Sequence, residues 1–540
     1  GTLTQNRMKV DTLSFDTDPT LLFEALATNT SAHLDTSNPN EVQVLGNPTE
    51  GALLLWMHDQ GISYKPIREN TELLQRMVFS AERKFMASQI FSSALQTQAI
   101  YLKGAPEVVM SRCSNILNEQ EVREQIAQFQ ARGMRTLAFA YRLVSPQEED
   151  EHIEKLVDQR DMVFLGYAAI ADPIRADVPR AIQTCMEAGI EVKIVTGDVS
   201  DTACEIARQA GLWRESSDQM LLTGAEFAAL SDEEALAIAE KLSVLSRARP
   251  SDKLRLVRLL QQQGNVVAVT GDGTNDAPAL NYANVGLSMG SGTSVAKEAS
   301  DVILLDDSFV SIVHAVRWGR SIYQNIQRFL QFQLTINVVA LVLMVLGPLI
   351  GVNLPLTITQ MLWVNLIMDT FAALALASEP SNAEVLKSAP RKVSDFIINR
   401  QMGVNILSQS LFFLILLVGL MLFFHHNEGG MTPYKLSFFF TAFVLLQFWN
   451  LFNARCLGSV RSAFSGLAKN PWFLTIVGII IGLQVVIVQF GGKVFRTVPL
   501  SFKDWIILIL CSSCVLWIGE IRRFIARHRS SKEKQTIDYA

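Results

Sequence analysis

Cysteine is scarce in this chain: six residues in 540, at positions 113, 185, 204, 456, 511 and 514. They are too scattered to form a disulfide framework or a zinc site, and a reduced compartment fits the soluble portion. Cys511 and Cys514 have C-x-x-C spacing but stand in an apolar stretch, where they read as core packing. Positive charge is not in excess either. The formal net charge of −5 argues against a broad nucleic-acid-binding surface. No secretory signal opens the chain; it begins Gly1-Thr-Leu-Thr4 without a methionine, a start that reads as cut. Internal repeats and low-complexity tracts are absent. Charge itself becomes sparse after about residue 330, where long apolar runs take over.

Those runs predict six membrane spans, at 328–350, 356–376, 403–425, 436–455, 472–490 and 503–520, each near the ~20 residues that cross a bilayer. Lys and Arg flank them on one side. Arg317, Arg320 and Arg328 precede the first span, and Lys387, Arg391, Lys392 and Arg400 lie between the second and third. Arg455 and Arg461 follow the fourth, and Arg522, Arg523, Arg527, Arg529, Lys532 and Lys534 follow the sixth. The positive-inside rule places that side, the soluble part and the tail in the cytoplasm.

In the soluble part, 161–306 alternates strand-like and helix-like segments. Strands are expected at Val163–Ile170, Glu191–Val195, Gln219–Leu222, Ser243–Ser246, Val266–Val269 and Val302–Leu305. Helices are expected at Asp177–Ala188, Thr202–Ala210, Asp232–Leu242 and Ser251–Gln263. This rhythm predicts an α/β parallel sheet with helices on both faces, and a ligand beyond the carboxyl ends of its strands. Two turns follow strands directly: Thr196-Gly-Asp198 and Thr270-Gly-Asp-Gly-Thr-Asn-Asp276. In the second, glycines allow a sharp turn and close approach to a ligand. Asp272 and Asp276 with Asn275 offer hard oxygens suited to Mg²⁺ and phosphate. Thr196 and the Gly197 amide suit phosphate oxygens, and Lys253 suits a developing phosphoryl charge. Together these parts fit phosphoryl transfer, which is mainly positioning and charge stabilisation.

With these motifs in hand, the chain resembles the P-type ATPases, cation pumps that pass through an aspartyl-phosphate. Residues 1–4 resemble the end of the family's Asp-Lys-Thr-Gly-Thr-Leu-Thr motif, which would place the phosphorylated Asp three residues before Gly1 and Thr2 beside the phosphate. Lys103-Gly-Ala-Pro-Glu107, Phe79-Ser-Ala-Glu-Arg-Lys84, Asp172-Pro-Ile-Arg175 and Thr270–Pro278 carry the likeness further. It implies a haloacid-dehalogenase-like phosphorylation domain (1–10 and 161–320), an inserted α+β nucleotide-binding domain (11–160) and an all-α six-helix transmembrane bundle (321–540). It also implies ATP and Mg²⁺, with Asp272 on the metal and Asp198, Asn275 and Asp276 around it. Phe79 would stack on adenine, Glu50 would contact the base, Lys84, Lys103 and Gly104 would line the pocket, and Arg135 would reach the phosphates. From composition alone Phe79 reads as core and Lys84 as a surface charge.

The spans bear on the cargo. Asp369 lies within an apolar run, where a carboxylate is costly and functional. Asn365 stands four residues earlier, a spacing that shares one helix face, and Asn337 lies in the preceding span. Such hard oxygens suit Ca²⁺. The string from Asn365 to Pro380, and Asn450-Leu-Phe-Asn-Ala-Arg455, resemble plasma-membrane-type calcium pumps. Ala340, Met368 and Gln447 stand where the two-site type has oxygen ligands, which implies one Ca²⁺ per ATP. The resemblance also implies that the actuator domain and first four spans are missing, in this or another chain, and that the fragment does not pump alone. The alternatives are a pump for Mn²⁺, Na⁺ or H⁺, or a non-catalytic nucleotide-binding membrane subunit.

Overall fold

The first long hairpin of the chain shows how its sheet is built. Residues Phe85–Ser92 and Thr97–Gly104 pair in antiparallel register from Phe85↔Gly104 to Ser92↔Thr97. Nearly every side chain on both strands is buried, so both faces of the sheet must be covered. In the computed structural model these two strands sit inside a seven-stranded sheet. The structure describes residues 2–15, 18–37, 42–80, 82–149, 151–213, 219–352, 354–427 and 431–537, with side chains to 528 except that of 427. Gly1 and the side chains of Arg529, Lys532 and Lys534 therefore lie outside the described residues. The chain divides into two units, Gly1–Val313 and His314–Ala540.

In the first unit the strands are β1 (Lys9–Phe15), β2 (His33–Asp35), β3 (Gln43–Leu45), β4 (Glu72–Met77), β5 (Phe85–Ser92), β6 (Thr97–Gly104), β7 (Cys113–Asn115), β8 (Arg135–Leu143) and β9 (Met162–Ala171). The large sheet runs β1-β9-β8-β6-β5-β4, with β7 against β9. Helices Pro19–Thr28 and Pro48–Asp59 cover one face through Leu22, Leu26, Leu53 and Leu54. Helix Glu119–Ala131 covers the other through Val122 and Ile126. The helix starts are written locally: Asp18 and Asn47 cap the backbone ahead of Pro19 and Pro48.

Beyond β9 come β10 (Ile194–Val195), β11 (Met220–Thr223), β12 (Leu242–Ser246), β13 (Ala268–Gly271), β14 (Val285–Met289) and β15 (Val302–Leu304). They form two parallel three-stranded sheets, β10-β12-β11 and β13-β14-β15. The expectation for Val163–Ile170 is corrected here. That segment is β9, antiparallel to β1 and β8 in the large sheet. Burial on both faces made it read as a parallel-sheet strand; helices flanking an antiparallel sheet produce the same pattern. The 160/161 boundary thus falls beside a strand that belongs to the preceding sheet.

The second unit carries six helices long and apolar enough to cross a membrane among the described residues: Phe309–Ile350 (which begins five residues inside the first unit), Ile358–Ala377, Arg400–His426, Pro433–Ala454, Pro471–Phe490 and Phe502–His528. Thr357, Thr432, Asn470 and Ser501 cap the second, fourth, fifth and sixth. The fourth is the most enclosed, with Phe439, Phe440 and Phe443 fully buried at the centre of the core. Arg455, at its end, forks onto Glu379 at 2.9 and 3.2 Å and donates to the Ala463 carbonyl at 2.7 Å. Such bidentate pairing holds the ends of the second and fourth spans in one geometry.

Candidate functional site

The candidate phosphoryl-transfer residues are held in place by backbone and side-chain bonds between pairs of segments. Residues 3–7 lie against Asp172–Arg175: Arg175 N–H donates to the Leu3 carbonyl at 3.0 Å, and Gln5 N–H to the Pro173 carbonyl at 3.0 Å. The Thr4 hydroxyl donates to Asp172 at 2.6 Å. Thr2 is half-buried at the head of this segment. Two sequence motifs 168 residues apart thus become one feature. Thr196-Gly-Asp198 leaves β10 and is bound to the segment after β12: Ala248 N–H donates to the Thr196 carbonyl and Arg247 N–H to the Asp198 carbonyl, both at 2.9 Å. The Thr196 hydroxyl donates to the Asp198 carboxylate at 2.8 Å.

From Ala248 the chain enters helix Pro250–Gln262, whose Lys253 ammonium reaches Asp276 at 2.6 Å. Asp276 also accepts the Gly273 N–H at 3.1 Å. A Cβ on Gly271 would stand 2.5 Å from the Asp276 Cβ, so only glycine lets the loop fold back this tightly. Asn275 is exposed on the same turn. The Asp272 carboxylate has no hydrogen bond or ion pair among the described residues, and the buried Thr270 Oγ1 is unpartnered. No cluster of three His, Cys, Asp or Glu side chains occurs among the described residues. One carboxylate without a partner among the described residues still fits Mg²⁺, which takes one or two carboxylates and completes its shell with water and phosphate.

The nucleotide-site candidates divide into inward and outward groups. Phe79 is 55% exposed on the turn after β4, so it is not core. Lys84 is exposed and stands 3.6 Å from Glu107. Gly104 faces it across the sheet, where a Cβ would come within 2.5 Å of the Lys84 carbonyl. Arg135 opens β8 and donates to the Thr49 hydroxyl at 3.1 Å, next to Glu50. Glu50 and Lys103, by contrast, are 7% and 5% exposed and bind each other at 2.9 Å. Lys103 also donates to the Asn29 carbonyl at 2.6 Å. The second Glu50 oxygen accepts from the Thr30 hydroxyl and from both the hydroxyl and N–H of Ser31. This charge pair organises the loop 28–31 from within.

Asn29, Thr30 and Ser31, which bind this pair, were missed by the sequence reading; the available signal was a polar run directly after an apolar helix. Burial by itself would raise the Glu50 carboxyl, but the Lys103 ammonium and the Ser31 donors outweigh it and hold Glu50 at about 2, below its ordinary 4.5. A depressed carboxyl contributes stability that is complete above 4.5 and lost as pH falls through about 2. Glu50→Gln is therefore expected to flatten the acid limb of stability in that window. Urea unfolding at a series of pH values checks this; an unchanged limb would mean the pair has no net worth.

In the second unit Asp369 is 2% exposed, and neither of its carboxylate oxygens has a partner among the described residues. Asn365 is exposed and Asn337 half-buried. Residues Trp363–Met368 form a π-helical stretch, and the two candidates differ in burial: Asn365 within it is exposed while Asp369, just past it, is buried. Gln447 is fully buried with both amide atoms unpartnered, and Asn450, which accepts from Gln409 at 2.5 Å, has a free amide nitrogen. Gln447 packs among Phe332, Met368, Ala372, Phe448, Leu451 and Ile480, which leave no room for a water molecule beside it.

Comparison with known proteins accounts for both units. A family model described as "P-type ATPase, cytoplasmic domain N" matches residues 19–177, and one described as "Cation transporting ATPase, C-terminus" matches 353–525. The chain is 38% identical over 551 residues to "Calcium-transporting ATPase 5, plasma membrane-type" of Oryza sativa subsp. japonica, covering 94% of this chain and 51% of that protein. It is 38% identical over 589 residues to "Calcium-transporting ATPase PAT1" of Dictyostelium discoideum, covering 97% and 52%. With "Plasma membrane calcium-transporting ATPase 3" of Homo sapiens it shares 40% identity over 502 residues, covering 86% and 41%. The chain spans about half the length of these relatives. Two matched domains, six apolar helices and this breadth of similarity make it a multi-pass integral membrane protein that belongs to the P-type ATPase family.

Proposed function

We propose that the protein exports Ca²⁺ from the cytosol at the expense of ATP, through an aspartyl-phosphate, with one Ca²⁺ moved per ATP. The observation that carries this reading is Asp369: a carboxylate enclosed by an apolar helix bundle with no partner for either oxygen. An unpaired buried charge is costly, and a hard cation supplies what it lacks. Asn337 and Asn365 are the further ligands, Asn365 from the π-helical stretch that leads into Asp369. The single-site stoichiometry is supported by the surroundings of Gln447: the six side chains packed around it are apolar and none is a carboxylate.

In the first unit, the exposed ring of Phe79 takes adenine, Lys84 and Arg135 supply positive charge to the nucleotide, and the Glu50–Lys103 pair fixes the loop 28–31. Thr2, Thr196 and Gly197 orient the transferring phosphoryl group toward the aspartate that the resemblance puts three residues before Gly1. Bound Mg²⁺ would neutralise phosphate charge at Asp272. Lys253 brings positive charge to the same loop while Asp276 holds its ammonium in place, and Asp198 fixes the Thr196 hydroxyl. The haloacid-dehalogenase-like architecture belongs to this proposal: its support is the two parallel sheets whose strand ends carry Thr196 and Asp272.

The decisive experiment is ATP-driven ⁴⁵Ca²⁺ uptake into vesicles carrying the full-length gene product. Accumulation that an ionophore releases is the expected result. ATP hydrolysis stimulated by Mn²⁺, Na⁺ or protons without Ca²⁺ uptake would transfer the site to another cargo, and no hydrolysis at all would favour a non-catalytic subunit.

A further inference from the structure

Membrane proteins leave apolar side chains exposed along their spans, but the connections between spans are polar unless they meet something. The connection between the second and third spans breaks that pattern. Phe396 is 82% exposed and Val393 71%, with Ile397 and Ile398 also outward. This tip is not slack. Arg391 stacks on the Tyr323 ring at 3.9 Å and donates to the Phe396 carbonyl at 3.0 Å. Lys392 N–H donates to the Asp395 carboxylate at 2.9 Å, and Gln327 Nε2 to the Ile397 carbonyl at 3.0 Å. The backbone is fixed to the first span while its apolar side chains project away.

Two features identify what they meet. The tip ends two residues before Arg400, where the third span starts. Along that span Val404, Leu407, Leu411 and Ile415 are all exposed at spacings of three and four, one stripe of a helix. In a multi-pass protein such a stripe faces acyl chains, and the exposed apolar tip directly precedes the helix that carries it. Charge points the same way. Between 387 and 400 the connection carries Lys387, Arg391, Lys392 and Arg400 against the single acid Asp395, the mix of basic and apolar side chains that seats in a headgroup layer.

We propose that Val393 and Phe396–Ile398 insert into the bilayer interface on the Lys/Arg-rich side of the membrane, with anionic lipid headgroups as the partner of the surrounding cations. The proposal rests only on the spans crossing a bilayer and is independent of what is pumped. Its test uses Phe396→Trp in the full-length protein, reconstituted into vesicles of phosphatidylcholine with phosphatidylserine whose acyl chains are brominated close to the headgroup. The emission added by the new Trp, relative to the parent protein, is expected to be quenched by the bromines. Lys392→Gln in the same background should weaken that quenching only when phosphatidylserine is present. Unquenched emission overturns the proposal, whether at a long wavelength (the tip lies in water) or a short one (another protein surface covers it). Quenching indifferent to phosphatidylserine in both backgrounds overturns the headgroup assignment.

Discussion

Asp369→Asn is expected to abolish Ca²⁺-dependent phosphoenzyme formation in the full-length protein while leaving ATP binding intact. The substitution keeps shape and volume and removes one negative charge. In the native protein that charge is enclosed with both oxygens unpartnered, so little screens it from a bound cation. Removing one member of a buried charge pair costs about 3–5 kcal/mol; at about 1.4 kcal/mol per decade, Ca²⁺ affinity should fall roughly 100- to 1,000-fold or more. The sign of the stability effect is opposite. Without cation, the carboxylate is an uncompensated charge in an apolar surround, so the Asn variant should melt at a higher temperature than the parent in chelator and lose the parent's stabilisation by Ca²⁺. Phosphoenzyme assays and paired melts with and without Ca²⁺ measure both. A variant that still binds Ca²⁺ as the parent does would remove the cation from this helix.

The second large effect is expected at the other end of the chemistry. Asp272→Asn should slow phosphoryl transfer by about 10²–10³-fold, the scale on which one preorganised electrostatic group acts, with ATP affinity nearly unchanged. The reason is anatomical. Asp272 lies just past β13, whereas Phe79, Lys84, Lys103 and Arg135 all belong to the large sheet or its turns. Its carboxylate holds no structural partner, so the variant should fold as the parent does. Rapid-quench phosphorylation with calorimetric ATP binding separates the two quantities. Equal losses in both would place Asp272 in nucleotide binding and count against its role on Mg²⁺.

Much of this site was legible in the chain because its signals are local. The two turns after strands, the glycine spacing around Asp272 and the lone carboxylate in an apolar run each lie within a few residues. Three things were not legible. Strand β14, Val285–Met289, went unseen because Gly286 and Ser288 interrupt its apolar pattern. The glycine is required where a Cβ would meet the Leu280 carbonyl at 2.5 Å, and Ser288 is buried and hydrogen-bonded to Ser300. The partners of β9 were misread because burial on both faces says nothing of strand direction. The π-helical stretch Trp363–Met368 went unseen because a spacing argument assumes 3.6 residues per turn throughout.

The sequence by itself determined the spans, the glycine-bearing turns after strands and the presence of a costly intramembrane acid, because periodicity, turn chemistry and desolvation act over one or two turns of chain. Tertiary structure alone decided which polar groups are satisfied. It joined Glu50 to Lys103 across 53 residues and Lys253 to Asp276 across 23, and it left Asp369 and Gln447 without partners. A charge's partner is set by which distant strand or helix arrives beside it, and no local pattern carries that information.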